Sequence, residues 1–360
     1  VKLLSLVEQA GQAAKEARAG GLQISADMDQ KGFVTSGDMD VDGFVHKEAK
    51  NMFPNAVVLS EETKYDFNPL DYPEVLIVDP IDGTRWYKDS GEVWSINLCL
   101  VRKGELASAV IRQPDLGIST FAEKGVGAFC QKDGVITRIH TSLEIDLRKI
   151  KVGVGVNFSS YEELAKISEL QKQVFLKAKG AVSLESTGYE LACLARGMAL
   201  AAYLHPGAQP WDKAAGILLI NEAGGKATGW PGKDPVFEEG IIAAANPGLY
   251  QAVYDLARKY VYEDVHDVPG FDTKKRKYFQ NFMVRHLPEA RIYKQQGLLN
   301  EEGSESWRNV ARHQLLSGVI TETVTELLAL PENEVKKLTH LSLIHDVDKR
   351  RQQEELSKTE

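Results

Sequence analysis

The stretch VLIVDPIDGTRWY, residues 75–87, joins an apolar run directly to two carboxylates, a proline and a glycine–threonine pair. A short apolar run of this kind, bounded by turn signals, is typical of a buried strand. A turn at the end of that strand explains Pro80 and Gly83. It does not explain Asp79 and Asp82, because carboxylates beside a core cost free energy unless they are paired or bind a metal ion. The stretch therefore predicts a buried strand that carries two acids to a functional site.

The composition is that of a soluble globular protein with two or three packed cores. The 360 residues are 43 % hydrophobic and 26 % charged, within the usual range for such proteins. The net charge of −8 argues against general nucleic-acid binding, which depends on neutralising phosphates with Lys and Arg. No apolar run approaches the length of a membrane span. Three widely spaced cysteines make neither a disulfide framework nor a metal cluster, so we expect a reducing compartment, the cytoplasm.

The order of periodic segments predicts a layered fold followed by a helical segment. Helical periodicity occurs at 3–18 and at about 41–53, and strand-like runs fill 75–130. Between 150 and 245, strand-like and helical runs alternate, as in layered α/β regions. We therefore predict an α/β fold, an α+β layered sandwich, in residues 1–258, with halves at 1–150 and 151–258. A linker at 259–280 and a partial helical domain at 281–360 would follow it.

The linker contains the basic run Lys274–Lys277. Basic runs of this length sometimes mark a nucleic-acid patch. In an acidic chain, and beside a predicted boundary, we favour a solvated connector and predict no nucleic-acid partner.

Four separated sites place acids at the end of a strand or the start of a helix. They are Val34–Asp38, Ser60–Thr63, DPIDGT at 79–84 and PWDKAAG at 210–216. Carboxylates carried by separate elements can meet at such positions. The alternative for each acid taken alone is a helix cap or a surface charge, and for Asp212 the cap explains the residue about equally well. Caps do not require this ordered set. The set favours a shared site.

Hard cations such as Mg²⁺ prefer oxygen ligands, and two such ions can activate water and stabilise a leaving oxygen. In the DPIDGT stretch, Asp79 is placed to bridge two ions and Asp82 to hold the second, with the carbonyl oxygen of Ile81 between them. Gly83 and Thr84 would begin a helix whose backbone N–H groups face an anion. These positions predict metal-assisted phosphate chemistry.

Taken in order, these motifs resemble those of the inositol monophosphatase superfamily, which comprises metal-dependent, lithium-sensitive phosphomonoesterases. The resemblance covers about residues 1–258. It rests on the acidic pair at 61 and 62, on DPIDGT, and on WDKAAG followed by EAGG at 222–225, with Asp38 upstream. It implies the layered αβαβα fold of that family and a Mg²⁺ site with two or three ions.

The resemblance also implies a role for each site residue. A water-activating ion would be held by Glu61, Asp79 and the Ile81 carbonyl, a second ion by Asp79, Asp82 and Asp212, and a weaker third ion by Asp38 with Glu61. Thr84 would bind the nucleophilic water, with Glu62 supporting the water network. Gly83 and Thr84 would bind the phosphate through their backbone N–H groups.

Substrate choice is less clear because the sequence departs from the inositol-specific members. Those members have Asn-Phe after DGT and an acid seven positions before the later metal-binding Asp, where this chain has Arg85-Trp86 and His205. Arg85 either binds a second anionic group of the substrate or is a surface arginine, and His205 either contacts substrate or is simply packed. Thr187, Gly188 and Glu190 occupy the segment that lies beside the substrate alcohol in the family.

We therefore predict a Mg²⁺-dependent phosphomonoesterase that acts on a small phosphorylated metabolite through a metal-activated water. An inositol phosphate, a sugar bisphosphate, a nucleotide 3′-phosphate and histidinol phosphate remain open as substrates. The alternatives are fructose-bisphosphatase-like or bisphosphate nucleotidase-like activity, or a regulatory phosphate-binding protein that signals through its tail. A homodimer is left open, and no membrane partner is predicted.

The tail contains a second potential metal site. His313 begins one helical pattern, and His345-Asp346 ends another. This arrangement resembles the start of HD-domain phosphohydrolases, which implies a second divalent metal bound by these three residues. The distal Asp of that family has no counterpart before residue 360, so we interpret 281–360 as a partial HD-like domain. A helical appendage with packed or solvated histidines is the alternative.

Overall fold

A computed structural model describes residues 2–26, 33–155, 161–198, 200–230 and 233–262. The predicted site residues from Asp38 to Asp212 all lie in one compact unit formed by Val1–Ser25, Phe33–Ser159 and Gln173–Tyr262. The predicted metal ligands of the tail, His313, His345 and Asp346, lie outside the described residues, so the HD-like segment and its metal remain predictions without support from the structure. Within the described ranges, no helix combines the length and the apolar character needed to cross a bilayer.

Most predicted elements are present, with shifted boundaries. The helices are α1 (Lys2–Ala19), α2 (Ser36–Met52), α3 (Thr84–Lys88), α4 (Tyr161–Lys177), α5 (Thr187–Ala195), α6 (Pro210–Glu222) and α7 (Pro247–Tyr262). The strands are β1 (Ile24–Ala26), β2 (Phe33–Thr35), β3 (Val57–Ser60), β4 (Glu74–Asp82), β5 (Ser95–Arg102), β6 (Glu105–Gln113), β7 (Ile118–Glu123), β8 (Gly127–Lys132), β9 (Val135–Arg138), β10 (Lys151–Val154), β11 (Gly180–Val182), β12 (Leu200–His205), β13 (Lys226–Gly229) and β14 (Ile241–Ala244). Helix α2 begins before its predicted start at residue 41, because Thr35 and Asp38 form a capping box at its N-terminus.

Two larger sheets organise the fold. The first has seven strands in the order β3-β4-β5-β6-β7-β8-β9, with β3 parallel to β4 and every other neighbouring pair antiparallel. The second has the order β11-β10-β12-β14-β13. In it β10 is parallel to β11 and β12, whereas β14 is antiparallel to β12 and β13. Both sheets are therefore mixed.

Strand β4 is buried on both faces, as its continuous apolar run predicts. Val75 and Ile77 belong to a core that includes residues of α5, α6 and the second sheet. Leu76 and Val78 point the other way, into a core with residues of α1 and α2. Burying each such side chain contributes about 1.5–3 kcal/mol. Helix α7 packs on β12, β13 and β14, and the layered α/β prediction is confirmed.

Strand β4 continues beyond the position where the sequence predicts a turn. It runs through Pro80 to Asp82 and stays beside β5, so that Asp79 lies opposite Asn97 and Asp82 lies opposite Ser95. The register shifts between the two acids. Such an irregularity accommodates a proline, which has no N–H for the ladder, and changes the direction of the side chains around it.

Gly83 follows this irregular segment with a backbone conformation that favours glycine. Its φ is +87°, and a Cβ there would lie 2.8 Å from the carbonyl oxygen of Val93. Gly117 has a similar φ of +66° but open space around it. Positive φ alone costs a non-glycine residue about 1–2 kcal/mol. Gly83→Ala should therefore lower the free energy of unfolding by more than Gly117→Ala, which urea denaturation of both variants would test. Equal losses would contradict a steric contribution at Gly83.

Candidate active site

Three carboxylates from separate elements meet beside the end of β4. Glu61 follows β3, Asp79 lies in β4, and Asp212 lies in the first turn of α6. One ligand oxygen from each lies within 4.8 Å of the other two. The parallel pairing of β3 with β4 brings the first two together, and the backbone N–H of Glu61 donates to the carbonyl oxygen of Val78 at 3.3 Å. Asp212 is held by the backbone N–H of Gln209, 2.7 Å from its Oδ2.

The three acids form an environment that disfavours negative charge. Burial, followed by repulsion from Asp212 and Glu62, raises the pKa of Glu61 well above its usual range. Burial and the charge of Glu61 do the same to the pKa of Asp79. Burial, followed by the charge of Asp82, raises the pKa of Asp212 to about 7. Three ionised carboxylates at this spacing require a compensating positive charge.

The side chains fit a divalent cation. Asp79 Oδ2 accepts a hydrogen bond from Asn97 Nδ2 at 3.3 Å, whereas its buried Oδ1 has no hydrogen-bond partner among the described residues. An unpaired, buried carboxylate oxygen is costly unless a cation binds it. Lys213, which follows Asp212, is directed to backbone carbonyl oxygens and donates to that of Gly240 at 3.0 Å. An all-oxygen donor set of this kind suits Mg²⁺ or a similar hard ion.

Asp82 is bound differently from the three clustered acids. Its Oδ1 accepts from the backbone N–H of Thr187 at 3.0 Å, and its Oδ2 accepts from that of Gly188 at 2.6 Å. The hydroxyls of Ser95 and Ser186 also donate to Oδ2, at 3.0 and 2.8 Å. Burial raises its pKa despite these bonds. Asp82 thus caps the N-terminus of α5, where a carboxylate is favoured, and its predicted role at a second ion remains a prediction.

Asp38 and Thr84 lie together at the starts of two helices. Asp38 is buried, and its Oδ2 accepts from the backbone N–H of Thr35 at 2.8 Å. The Thr84 hydroxyl lies 3.3 Å from Asp38 Oδ1 and 3.1 Å from the Ile81 carbonyl oxygen. Burial raises the pKa of Asp38. The structure therefore brings Asp38, Ile81 and Thr84 together, although Asp38 is not one of the three clustered ligands.

The other predicted contacts at this end of β4 are Glu62, Gly83 and Arg85. Glu62 is close enough to Glu61 for its charge to raise the pKa of that residue. Gly83 is the N-cap of α3. Arg85 forms an ion pair with Glu185, with Nη1 and Oε2 3.0 Å apart and both side chains more than half exposed. Exposed pairs of this kind contribute little stability. The guanidinium of Arg85 is nevertheless already paired with an acid of the protein.

The predicted alcohol-side residues form one buried network together with Tyr203. Thr187 Oγ1 lies 3.1 Å from the Tyr203 hydroxyl and 3.4 Å from His205 Nδ1. Burial raises the pKa of Glu190 to about 8, while hydrogen bonds from the Leu184 backbone and the Tyr203 hydroxyl act against that shift. Burial lowers the pKa of His205 to about 4. At neutral pH the network is therefore mostly uncharged.

Gly188 allows α5 to approach β5 closely, because a Cβ at this position would overlap the side-chain amide of Asn97. Its N–H is thereby brought to the Asp82 carboxylate. Of the five predicted substrate residues, the structure groups Thr187, Gly188, Glu190 and His205, whereas Arg85 contacts the loop before α5.

The sequence prediction missed several residues that hold the acids in place. Ser95 and Asn97 donate to Asp82 and Asp79 from the neighbouring strand, and Ser186 donates to Asp82. A signal was available in the strand SINLCLVR, whose only uncharged polar residues stand two positions apart and therefore on one face. The partner of Glu190, Tyr203, gave no such signal because it lies within an apolar strand.

Comparison with known proteins agrees with this architecture. The model of the inositol monophosphatase family matches residues 2–262. A putative Nus factor SuhB of Neisseria meningitidis serogroup B is 29 % identical over 185 residues, covering 51 % of this chain and 69 % of that protein. A fructose-1,6-bisphosphatase/inositol-1-monophosphatase of Thermotoga maritima is 27 % identical over 233 residues, covering 62 % and 80 %.

A solved structure shares the fold. The extragenic suppressor protein suhB of Bartonella henselae superimposes with a TM-score of 0.63 at 24 % identity, covering 72 % of this chain and 97 % of that one. The family match spans the whole region that contains the clustered acids. The prediction of a metal-dependent phosphoric monoester hydrolase is confirmed at this level, and the chain belongs to the inositol monophosphatase family.

Proposed function

We propose that this chain hydrolyses the phosphate monoester of a small polyol or sugar, using Mg²⁺ bound by Glu61, Asp79 and Asp212. The observation that carries the proposal is the meeting of these three carboxylates within 4.8 Å. The buried, unpartnered Oδ1 of Asp79, considered among the described residues, supports it. When bound there, the cation would lower the pKa of a water molecule and polarise the phosphoryl oxygen.

The residues beside the carboxylates would orient the attacking water. The Thr84 hydroxyl is within hydrogen-bond distance of both Asp38 Oδ1 and the Ile81 carbonyl oxygen. Either contact fixes the hydroxyl proton, so that its oxygen lone pairs are left to accept a proton of the water. Glu62 would support the water network from behind Glu61. Positioning of this kind makes the attack effectively intramolecular.

The phosphate would bind at the backbone N–H groups of Gly83 and Thr84. Gly83 is in the left-handed region and precedes the first residue of α3. Unpaired N–H groups at such a position favour a negatively charged oxygen. Asp82 would fix α5, and with it the alcohol side, relative to β4, in addition to its predicted role at a second ion.

The alcohol side supports a substrate with neutral hydroxyls. Thr187, Glu190 and His205 present hydrogen-bonding groups that are mostly uncharged near pH 7. Arg85 is the predicted contact for a second phosphate, and it is paired with Glu185. A bisphosphate would have to displace that acid. The uncharged network therefore favours a monophosphorylated polyol or sugar over a bisphosphate.

A panel of phosphomonoesters assayed with Mg²⁺ tests this proposal. We expect faster phosphate release from inositol and sugar monophosphates than from fructose 1,6-bisphosphate or a nucleotide 3′-phosphate. Arg85→Gln should leave the rates for monophosphates unchanged, because the ion pair that it breaks is exposed. A bisphosphate preference that disappears in Arg85→Gln would instead support the second phosphate contact. Metal-independent hydrolysis would contradict the proposed mechanism.

The groups beside the clustered carboxylates also favour the enzyme over the regulatory alternative. A non-catalytic phosphate-binding protein has no need for a water-orienting hydroxyl beside clustered metal ligands. The proximity of Thr84 to Asp38 therefore supports catalysis.

A further inference from the structure

Asp42 is a buried acid that the proposed hydrolysis does not use. It lies on α2, one turn after Asp38, and is 4 % exposed. Its Oδ1 accepts a hydrogen bond from the Ser60 hydroxyl, and its Oδ2 accepts one from the Thr63 hydroxyl at 2.6 Å. His46 Nε2 lies 3.6 Å from the same Oδ1. Both carboxylate oxygens of Asp42 therefore accept hydrogen bonds from neighbouring side chains.

The two hydroxyls stand on either side of the acidic pair at 61 and 62. Ser60 is the last residue of β3 and lies opposite Val78 in the ladder with β4. Thr63 is exposed and lies beyond the strand. One carboxylate on a helix thus ties both ends of the turn that carries Glu61.

Holding both ends of the turn restricts the direction of the Glu61 side chain. The backbone N–H of Glu61 already donates to Val78, which fixes the first end. Thr63 has no ladder partner, so its bond to Asp42 fixes the second. Without that bond the turn could rotate, and Glu61 would lose its alignment with Asp79 and Asp212. Residues that orient metal ligands typically affect metal affinity or activity by about 10–100-fold.

We propose that Asp42 is a positioning residue, which holds Glu61 in the metal-binding geometry by binding Ser60 and Thr63 and thereby sets the affinity of the site for divalent cations. The inference rests on the proposed function, because it requires a cation at Glu61, Asp79 and Asp212. It adds that the affinity depends on a carboxylate that never contacts the ion.

A pair of substitutions at Thr63 tests this inference without disturbing the core. Thr63→Val removes the hydroxyl at nearly constant shape, and Thr63→Ser retains it. Mg²⁺ and Mn²⁺ binding to the substrate-free full chain would be measured by calorimetry. We expect Thr63→Val to weaken the binding by about tenfold or more and Thr63→Ser to bind as the wild type does. In phosphatase assays, the metal concentration for half-maximal rate should rise in Thr63→Val, with a smaller change in kcat at saturating Mg²⁺.

A matched control and a second variant make the outcomes distinguishable. Thr137→Val removes an exposed hydroxyl that contacts the Cys130 carbonyl oxygen at 3.4 Å, and it should leave metal binding unchanged. Asp42→Asn should weaken the binding in the same direction as Thr63→Val. Wild-type affinity in Thr63→Val, or an equal loss in Thr63→Ser, would overturn the positioning role and leave the proposed function standing. A wild-type chain that binds neither cation would overturn both.

Discussion

Asp79→Asn should lower kcat/KM for Mg²⁺-dependent phosphate release by on the order of 10³-fold or more. Asp79 is the buried member of the three clustered carboxylates, and an amide there removes a charge that the cation needs. Metal ions typically supply several kcal/mol of transition-state stabilisation, and each 1.36 kcal/mol corresponds to about a tenfold change in rate. Steady-state kinetics over a range of Mg²⁺ concentrations would measure the loss.

The same substitution should not destabilise the metal-free protein. Replacing a buried carboxylate whose pKa is raised by burial and by Glu61 removes both a desolvation cost and a repulsion. The Tm of metal-free Asp79→Asn should therefore equal or exceed that of the wild type. Asp66→Asn, at an exposed position in the loop after Glu61 and Glu62, provides the control and should retain normal turnover. Near-normal turnover in Asp79→Asn would remove Asp79 from the mechanism.

The metal-free protein should gain stability as the pH falls from about 8 to about 5. Asp212 has a pKa of about 7 in the folded chain, compared with an ordinary value of 3.8, and Glu190 is shifted in the same direction. Between these values the two acids bind more protons in the folded state than in the unfolded state, so their contribution to stability decreases as the pH rises through about 7. His205, whose pKa is lowered to about 4, opposes the two acids only below its ordinary pKa of about 6.5. The change should be on the order of a few kcal/mol. Urea denaturation in the presence of a chelator would measure it.

Saturating Mg²⁺ should weaken or reverse this dependence. A cation that binds only the folded state stabilises it by about 2.7 kcal/mol at a hundred times its Kd. Protons compete for the same carboxylates, so the stabilisation should be larger at pH 8 than at pH 5. Metal-free stability that increases between pH 5 and pH 8 would show that the clustered acids do not dominate the titration. Equal stabilisation by Mg²⁺ at both pH values would show that the ion binds elsewhere.

The sequence predicted the buried strand and the order of the acids well, because both depend on local patterns. Four apolar residues followed by acids indicate β4, and the alternation of Val75 with Leu76 reflects its two buried faces. The meeting of Glu61 with Asp79 follows from neighbouring parallel strands. The proximity of Asp212 to these two acids was implied only by the family resemblance, because no local pattern brings together residues so distant in the chain.

The arrangement around Asp82 was not predictable from spacing. The acid lies three residues after Asp79, which suggested a shared metal, yet its oxygens accept from Thr187 and Gly188 of a helix more than a hundred residues later. Hydrogen bonds between such distant segments leave no periodic signal. The early start of α2 was missed for a different reason, since the apolar period begins only after the capping residues.

The distribution of the clustered acids over the chain has a consequence for biosynthesis. Glu61 and Asp79 emerge from the ribosome well before Asp212, and Asp82 emerges well before the N–H groups of α5 that bind it. A nascent N-terminal half therefore carries Asp79 and Asp82 with their partners Asn97 and Ser95, but without Asp212 and the N–H groups of α5. Under the proposed mechanism, all three carboxylates can hold a cation only after residue 212 has been synthesised and α6 has packed against the first sheet. Metal loading would thus report the packing of α6 against the first sheet, which a translation-arrest experiment with chains released before and after residue 212 would test.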